Sequence, residues 1–261
     1  MSESTSLHVS MPCIDAAAQA LLDARAAPRG RLDEDLRPQS MEQALAIQHA
    51  ILNKAQERVG GWKVGRIDGL IYSALLPDKS IVDSDLKRAE SVIVPAGSKI
   101  ELELATRFHK PVAWRDVADL TLDGLPSVAE CVALFEFVCS RFLPDAGQDA
   151  LEKIADNVST ARIVTGSSTR DWTMQSLRVT HAVLHENNAE VARHDGPHLA
   201  EPLMDLFTVW KDRCVQEQRD IEPGQLITWG SLSGVRPVPD IGADYDGQVG
   251  KSLTVRCRAA V

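Results

Sequence analysis

The apolar positions of this chain change their spacing once, near residue 62. Over residues 14–27 (IDAAAQALLDARAA) alanine and leucine recur at helical intervals, and Pro28 with Gly30 closes the run. Ser40 then stands as an N-cap, with Gln43 three residues on as its capping-box partner. Residues 41–58 put Ala44, Leu45, Ile47, Gln48, Ile51 and Leu52 on one broad face before Gly60 and Gly61 stop the helix. Residues 1–62 therefore predict a helical layer. Beyond them come short β-rich runs (VIVP, IELELATRF, VALFEFV, ARIVTG, RVTHAVLH, LTVRC) separated by Gly, Pro, Asp and Asn turns. Helices are expected within this body at residues 199–218, where Leu203, Leu206, Phe207 and Trp210 keep helical spacing, and at residues 127–131. The pattern predicts an α+β fold: an N-terminal helical layer on a strand-rich body over residues 63–261, the two forming one compact unit.

At 261 residues, 44% of them hydrophobic, the chain can bury a sizeable core. Its formal charge of −9 argues against nucleic acid and against an anionic membrane surface. An acidic ligand would need local positive charge, from a metal ion or a placed lysine. Cys13, Cys131, Cys139, Cys214 and Cys257 are odd in number, scattered and without a CxxC pair, which reads as reduced thiols rather than a disulfide framework or zinc site. The polar N-terminus has no signal-peptide core, and no apolar run approaches the ~20 residues of a membrane span, so a soluble cytoplasmic protein is expected.

Three carboxylates carry the candidate chemistry. Glu101 and Glu103 alternate with Ile100, Leu102 and Leu104, so both leave the same face of a strand. Alternation alone equally describes a strand with one wet side. Glu136 is more telling, because it interrupts an apolar run (VALFEFV) that reads as buried on both faces, where an ionised carboxylate costs several kcal/mol without compensation. An arginine such as Arg141 could supply that compensation. Alternatively, the three carboxylates converge on one hard cation, Mg²⁺ or Mn²⁺, whose open positions chelate a 2-oxo acid and stabilise its enolate. Lys63, in G-G-W-K-V-G, is a proton-transfer candidate if a nearby metal lowers its pKa, and otherwise a lysine in a turn. The A-D-N-V-S segment (Asp156, Asn157, Ser159) and the G-S-L-S-G segment (Ser231) offer hydroxyls and amides that fit either a substrate carboxylate or a plain loop. His181 with His185 and His194 with His198 are poorly spaced for metal. No GxSxG elbow, P-loop or Rossmann fingerprint occurs.

Taken in order, G-W-K-V-G (61–65), E-L-E-L-A (101–105), F-E-F-V-C-S-R-F (135–142), A-D-N-V-S (155–159), G-Q-L-I-T-W-G-S-L-S-G (224–234) and A-D-Y-D-G-Q-V-G (243–250) resemble the 2-oxopent-4-enoate hydratases and 4-oxalocrotonate decarboxylases of aromatic meta-cleavage pathways, in the fumarylacetoacetate-hydrolase-like superfamily. The resemblance runs from about Ala16 to the C-terminus. It implies a mixed β-roll or sandwich with helices packed on it, Mg²⁺ or Mn²⁺ held by Glu101, Glu103 and Glu136, and Lys63 facing the substrate. Asp156, Asn157, Ser159, Trp229 and Ser231 would line the substrate. The implied reaction is hydration of a 2-hydroxydienoate such as 2-hydroxypenta-2,4-dienoate to a 4-hydroxy-2-oxo acid. Decarboxylation of a 2-oxo diacid, or a non-catalytic subunit paired with a related pathway enzyme, are the alternatives, and a homo-oligomer is expected. A carbon–carbon hydrolase ranks below these, since no histidine near Lys63 or Glu101 supplies the usual histidine–glutamate pair. Asp78 falls where hydratases carry an acid pair, but Pro77 replaces the first member. Further departures are Cys139 for an aspartate, Trp229 for a smaller residue or leucine, Tyr245-Asp246-Gly247 for an aromatic-Gly-Gly, and a shorter segment after Lys63.

Overall fold

The computed structural model describes residues 11–84 and 91–261. The helices are α1 (Met11–Asp23), α2 (Met41–Ala55), α3 (Trp114–Val117), α4 (Ala150–Ala155), α5 (Met174–Arg178) and α6 (Leu203–Gln216). The strands are β1 (Val59–Ile67), β2 (Leu70–Pro77), β3 (Ile81–Asp83), β4 (Ser91–Ile93), β5 (Lys99–Phe108), β6 (Ala129–Val138), β7 (Thr160–Thr169), β8 (Val179–Glu186), β9 (Ala189–Pro197), β10 (Leu226–Ser231), β11 (Arg236–Pro237), β12 (Ala243–Val249) and β13 (Leu253–Ala260). The fold is thus α+β, and no helix among the described residues is long and apolar enough to cross a membrane.

Two compact units divide the chain. The first joins residues 11–57 with residues 140–159. In it α2 starts as its sequence demands: Ser40 Oγ accepts from the Gln43 amide at 3.3 Å, and Gln43 Oε1 accepts from the Gln39 amide at 2.7 Å. The helix ends earlier than expected, at Ala55, because Gln56 takes the left-handed conformation (φ 51°), and the glycines 60 and 61 belong to β1 instead. Residues 149–155 return to this layer through a capping box between Asp149 and Glu152 at the head of α4. Glu152 is fully buried and accepts from Arg31 Nε (2.7 Å) and the Leu32 amide (3.1 Å), and Gln48 donates to the Ile154 carbonyl at 2.6 Å. Leu21, Leu32, Ile47, Ile51 and Ile154 supply buried apolar side chains around these bonds.

The second unit, the described residues of 58–139 and 160–261, holds two sheets. One runs β2-β1-β10-β5-β6-β7-β3, with β11 on β5, and the other runs β4-β13-β12-β8-β9. β1 and β2 form a hairpin whose turn, Asp68-Gly69, has both φ positive (48° and 84°), as a two-residue turn matching strand twist requires. β2 passes through the short turn Asp78–Ser80 directly into β3, so the two ends of the first sheet are chain neighbours. The sheet therefore rolls up. Leu76 of β2 and Ile163 of β7 share one apolar cluster with Ala105, Val132, Leu134 and Leu226, with Ile81 packed against it. That is the inner face.

The outer face is covered twice. α6 lays Trp210 against Trp62 of β1 (5.8 Å, edge-on) and against Phe108 (5.9 Å, stacked). The five-stranded sheet packs on β5, β6 and β7, with Tyr245 against Phe135 and Phe137 (6.1 and 6.3 Å). Gly247 is needed here: a Cβ would lie 2.6 Å from Leu102 and 2.8 Å from Phe135. The expected helix over residues 127–131 does not form. Ser127 closes a 3₁₀ turn begun at Leu122, and Ala129 opens β6, where pairing along β5 from Phe108 outweighs the helical preference of Ala-Glu.

Candidate metal centre

Strand register builds the centre on the inner face. Glu101 of β5 lies directly opposite Glu136 of β6, and Glu103 is two residues further along the same face. One carboxylate oxygen from each of the three lies within 4.8 Å of the others. Like charges facing each other across a sheet are unfavourable, and burial makes them worse. Glu103 and Glu136 are 0% exposed, Glu101 8%.

The neighbouring strands supply partial compensation. β1 pairs in parallel with β10, putting Lys63 level with Thr228, and β10 pairs with β5, putting Thr228 level with Ala105. Lys63 Nζ reaches Glu136 Oε2 at 2.7 Å and Glu101 Oε2 at 3.9 Å, and it is 6% exposed. The Thr160 hydroxyl donates to Glu136 Oε1 at 2.6 Å, and the Thr228 hydroxyl donates to Glu103 Oε2. Glu103 Oε1 is buried with no hydrogen-bond partner. Gly61 lets the strands close, since a Cβ there would stand 2.2 Å from the Leu226 carbonyl.

Three carboxylates and one ammonium leave two negative charges in a buried space. Desolvation, then the charge of Glu136, pushes Glu103 well above the usual carboxylate range; desolvation also raises Glu101, against the pull of Lys63. Burial acts to discharge Lys63, but Glu136 and the other acidic groups outweigh it and hold the ammonium charged. The donor set fits a hard divalent cation: all oxygen, one carboxylate oxygen unpartnered, and a residual charge that such an ion cancels.

The remaining sequence candidates lie in varied places. Ser231 is level with Glu103 across β10 and β5, and its buried hydroxyl favours the charged form of Glu101 without closing a hydrogen bond of normal geometry. Trp229 was expected to wall the substrate pocket. Strand alternation instead turns it to the outer face, opposite Thr228, where its fully buried indole donates to Thr106 Oγ1 at 3.3 Å. Asp78 sits beside Arg58, just ahead of β1, where its amide donates to the Arg58 carbonyl and its carboxylate accepts from the Arg58 amide (3.3 Å), Arg58 Nε (3.2 Å) and the Lys79 amide (2.9 Å). Asp156, Asn157 and Ser159 belong to the first unit. There Arg141 pairs with Asp156 at 3.3 Å, Asn157 Oδ1 is buried without a partner, and Asn157, Val158 and Ser159 all have positive φ (51°, 49° and 64°). A valine in that region is strained.

Sequence reading missed Thr160, Thr228 and Tyr72. Tyr72 of β2 pairs with Gly65 and shares the inner face with Lys63, whose partner is Ala74. Burial raises its phenol, with the three glutamates adding to that and Lys63 opposing, so the hydroxyl is neutral at pH 7. Recognising Asp68-Gly69 as a hairpin turn would have set this register.

Neither a comparison with protein-family models nor one with curated proteins returns a match. Among solved structures, 4-oxalocrotonate decarboxylase from Pseudomonas putida G7, complexed with magnesium and adipate, is similar over 96% of this chain and 98% of that one, with a TM-score of 0.76 and 18% identity. The same enzyme complexed with calcium and acetate gives a TM-score of 0.75 at 18% identity, covering 96% and 98%. Fumarylpyruvate hydrolase from Pseudomonas aeruginosa, in complex with Mn²⁺ and pyruvate, gives 0.55 at 14% identity, covering 78% and 90%. The chain has the fumarylacetoacetate-hydrolase-like fold.

Proposed function

We propose that this chain is a divalent-metal-dependent lyase of the fumarylacetoacetate-hydrolase-like superfamily, acting on a small 2-oxo or 2-hydroxydienoate acid by adding water to give a 4-hydroxy-2-oxo acid. The observation that carries the reading is the buried triad of Glu101, Glu103 and Glu136, two charges short of neutrality with Lys63 beside it. Mg²⁺ or Mn²⁺ bound there would supply Lewis acidity to the substrate's 2-oxygen and carboxylate. The residues do the rest. Glu101, Glu103 and Glu136 would hold the ion, and the Thr160 and Thr228 hydroxyls fix the rotamers of two of them. Lys63 is placed to take or give a proton at the dienolate, once a bound cation shares the carboxylates that otherwise keep it charged. Ser231 offers a free hydroxyl for the substrate head.

Charge counting favours a monoacid. Lys63 is the cation that acts on both Glu101 and Glu103, and with a divalent ion the three carboxylates and this ammonium sum to zero before substrate arrives. A second substrate carboxylate would add a further negative charge to that balance. Decarboxylation of a 2-oxo diacid is the second reading. It is supported by the near full-length likeness to a 4-oxalocrotonate decarboxylase and by the capture of Asp78, the expected hydratase acid, by Arg58.

Purified protein with Mn²⁺ should remove the ultraviolet absorbance of 2-hydroxypenta-2,4-dienoate and form 4-hydroxy-2-oxopentanoate. Carbon dioxide release from 4-oxalocrotonate, without hydration of the monoacid, would move the assignment to the second reading. No change in either substrate would refute both.

A further inference from the structure

Tyr72 is 5% exposed, and none of the side-chain hydrogen bonds found among the described residues engages its hydroxyl. A phenol buried this far normally hydrogen-bonds through its hydroxyl, and one that no protein group engages is open to the oxygen of a ligand. Its position is built. The ring lies across Gly65, where a Cβ would stand 2.6 Å from the hydroxyl oxygen and 2.9 Å from Cζ, so glycine is what lets the phenol lie flat on β1. Ala74, two residues on, is small and level with Lys63, so no bulky side chain of β2 separates the phenol from the ammonium. Gly65 and Lys63 alternate onto one face of β1, so register sets Tyr72 on the same inner face as Lys63, two residues further along the hairpin.

Resting on the proposed function, we infer that the Tyr72 hydroxyl is a ligand-contacting donor that recognises an uncharged oxygen beyond the 2-oxo acid head, of the kind a 4-hydroxyl presents. The chemistry fits the charge count. A metal-loaded triad with Lys63 is neutral, the substrate's own carboxylate adds one negative charge, and a neutral donor suits a neutral acceptor next along the chain. The arrangement also explains why the hairpin turns so soon after Lys63: the short Asp68-Gly69 connection sets Tyr72 opposite Gly65.

The test is a cycle between a ligand hydroxyl and a protein hydroxyl, read as binding rather than turnover. Full-length protein loaded with Mn²⁺ is titrated calorimetrically with 4-hydroxy-2-oxopentanoate and with 2-oxopentanoate. The wild-type protein should bind the hydroxylated acid about five- to tenfold more tightly, the worth of one hydrogen bond. Y72F should bind the two acids equally, with its affinity for 2-oxopentanoate and for Mn²⁺ unchanged. G65A, which pushes the phenol off β1 while keeping its hydroxyl, should lose the same preference and carries the test if Y72F does not fold. Equal wild-type affinities, or a preference that survives both variants, overturn the assignment of Tyr72 alone. A preference lost in S231A but kept in Y72F does the same. Failure of the wild-type protein to bind either acid overturns the proposed function, and this inference with it.

Discussion

Glu103→Gln should raise the stability of the metal-free protein and lower that of the metal-loaded one. Glu103 is fully buried within 4.8 Å of two other carboxylates. At an effective dielectric of about 20, two unit charges at that separation repel by about 3 kcal/mol. The metal-free protein already relieves part of this by taking up protons, since burial and Glu136 push Glu103 far up, and Lys63 offsets some of the rest. The net gain from an uncharged glutamine is therefore smaller, about 1–2 kcal/mol, or a rise of roughly 2–4 °C in melting temperature in EDTA. Glutamine keeps the local geometry, because its carbonyl can still accept from Thr228. With saturating Mn²⁺ the order inverts. Loss of a charged ligand should weaken binding at least about a hundredfold, which removes about 2.7 kcal/mol of ligand-linked stability. Thermal unfolding of both proteins in EDTA and in Mn²⁺ reads both signs. A variant that melts below wild type in EDTA and gains the same increment from Mn²⁺ would show that the triad is structural, and the reasoning fails.

Lys63→Met leaves Glu136 without its 2.7 Å partner and should cost about 3–5 kcal/mol in the metal-free protein, partly restored by Mn²⁺, with turnover down at least about a hundredfold; urea unfolding and steady-state rates check it. Asp156 is raised by burial to about 6 despite Arg141. Its unfolded pKa is about 3.9, so its native form binds the proton more tightly and it favours folding at low pH. That contribution is full below about pH 4 and is lost as pH rises through about 6, a change of about 2–3 kcal/mol. Subtracting wild-type from Asp156→Asn unfolding free energies should give a difference that grows by that amount between those pH values, and a flat difference would refute the burial argument. Gly61→Ala drives a Cβ to 2.2 Å from the Leu226 carbonyl and should lower stability by about 3 kcal/mol or more, seen as a lower urea midpoint.

Much of the centre was legible because buried charge is conspicuous in sequence. Glu136 stands out in VALFEFV for the same reason it is energetically awkward in the fold, and Glu101 and Glu103 alternate into one face by strand geometry alone. What alternation cannot give is the neighbour. Thr160 and Thr228 are ordinary strand threonines until register brings them to Glu136 and Glu103. Trp229 shows the converse. Its nearness in sequence to Gly230 and Ser231 suggested a pocket wall, yet a strand sends successive side chains to opposite faces, and the residue beside Thr228 had to point away. The helical layer was visible in its spacing, whereas the return of residues 140–159 to it depends on contacts more than a hundred residues apart, such as Arg31 with Glu152. Local pattern carries no trace of those.

That return has a consequence for synthesis. α1 and α2 leave the ribosome first, but the capping box, α4 and the buried acceptor Glu152 that complete their layer follow only after all of residues 58–139 have been made. At about 5–20 residues per second, the nascent helices wait roughly 5–20 s with Leu32 and Gln48 unsatisfied. Cutting the chain after residue 57 accordingly releases an incomplete layer rather than a domain, and grafting those helices elsewhere would require carrying residues 140–159 with them.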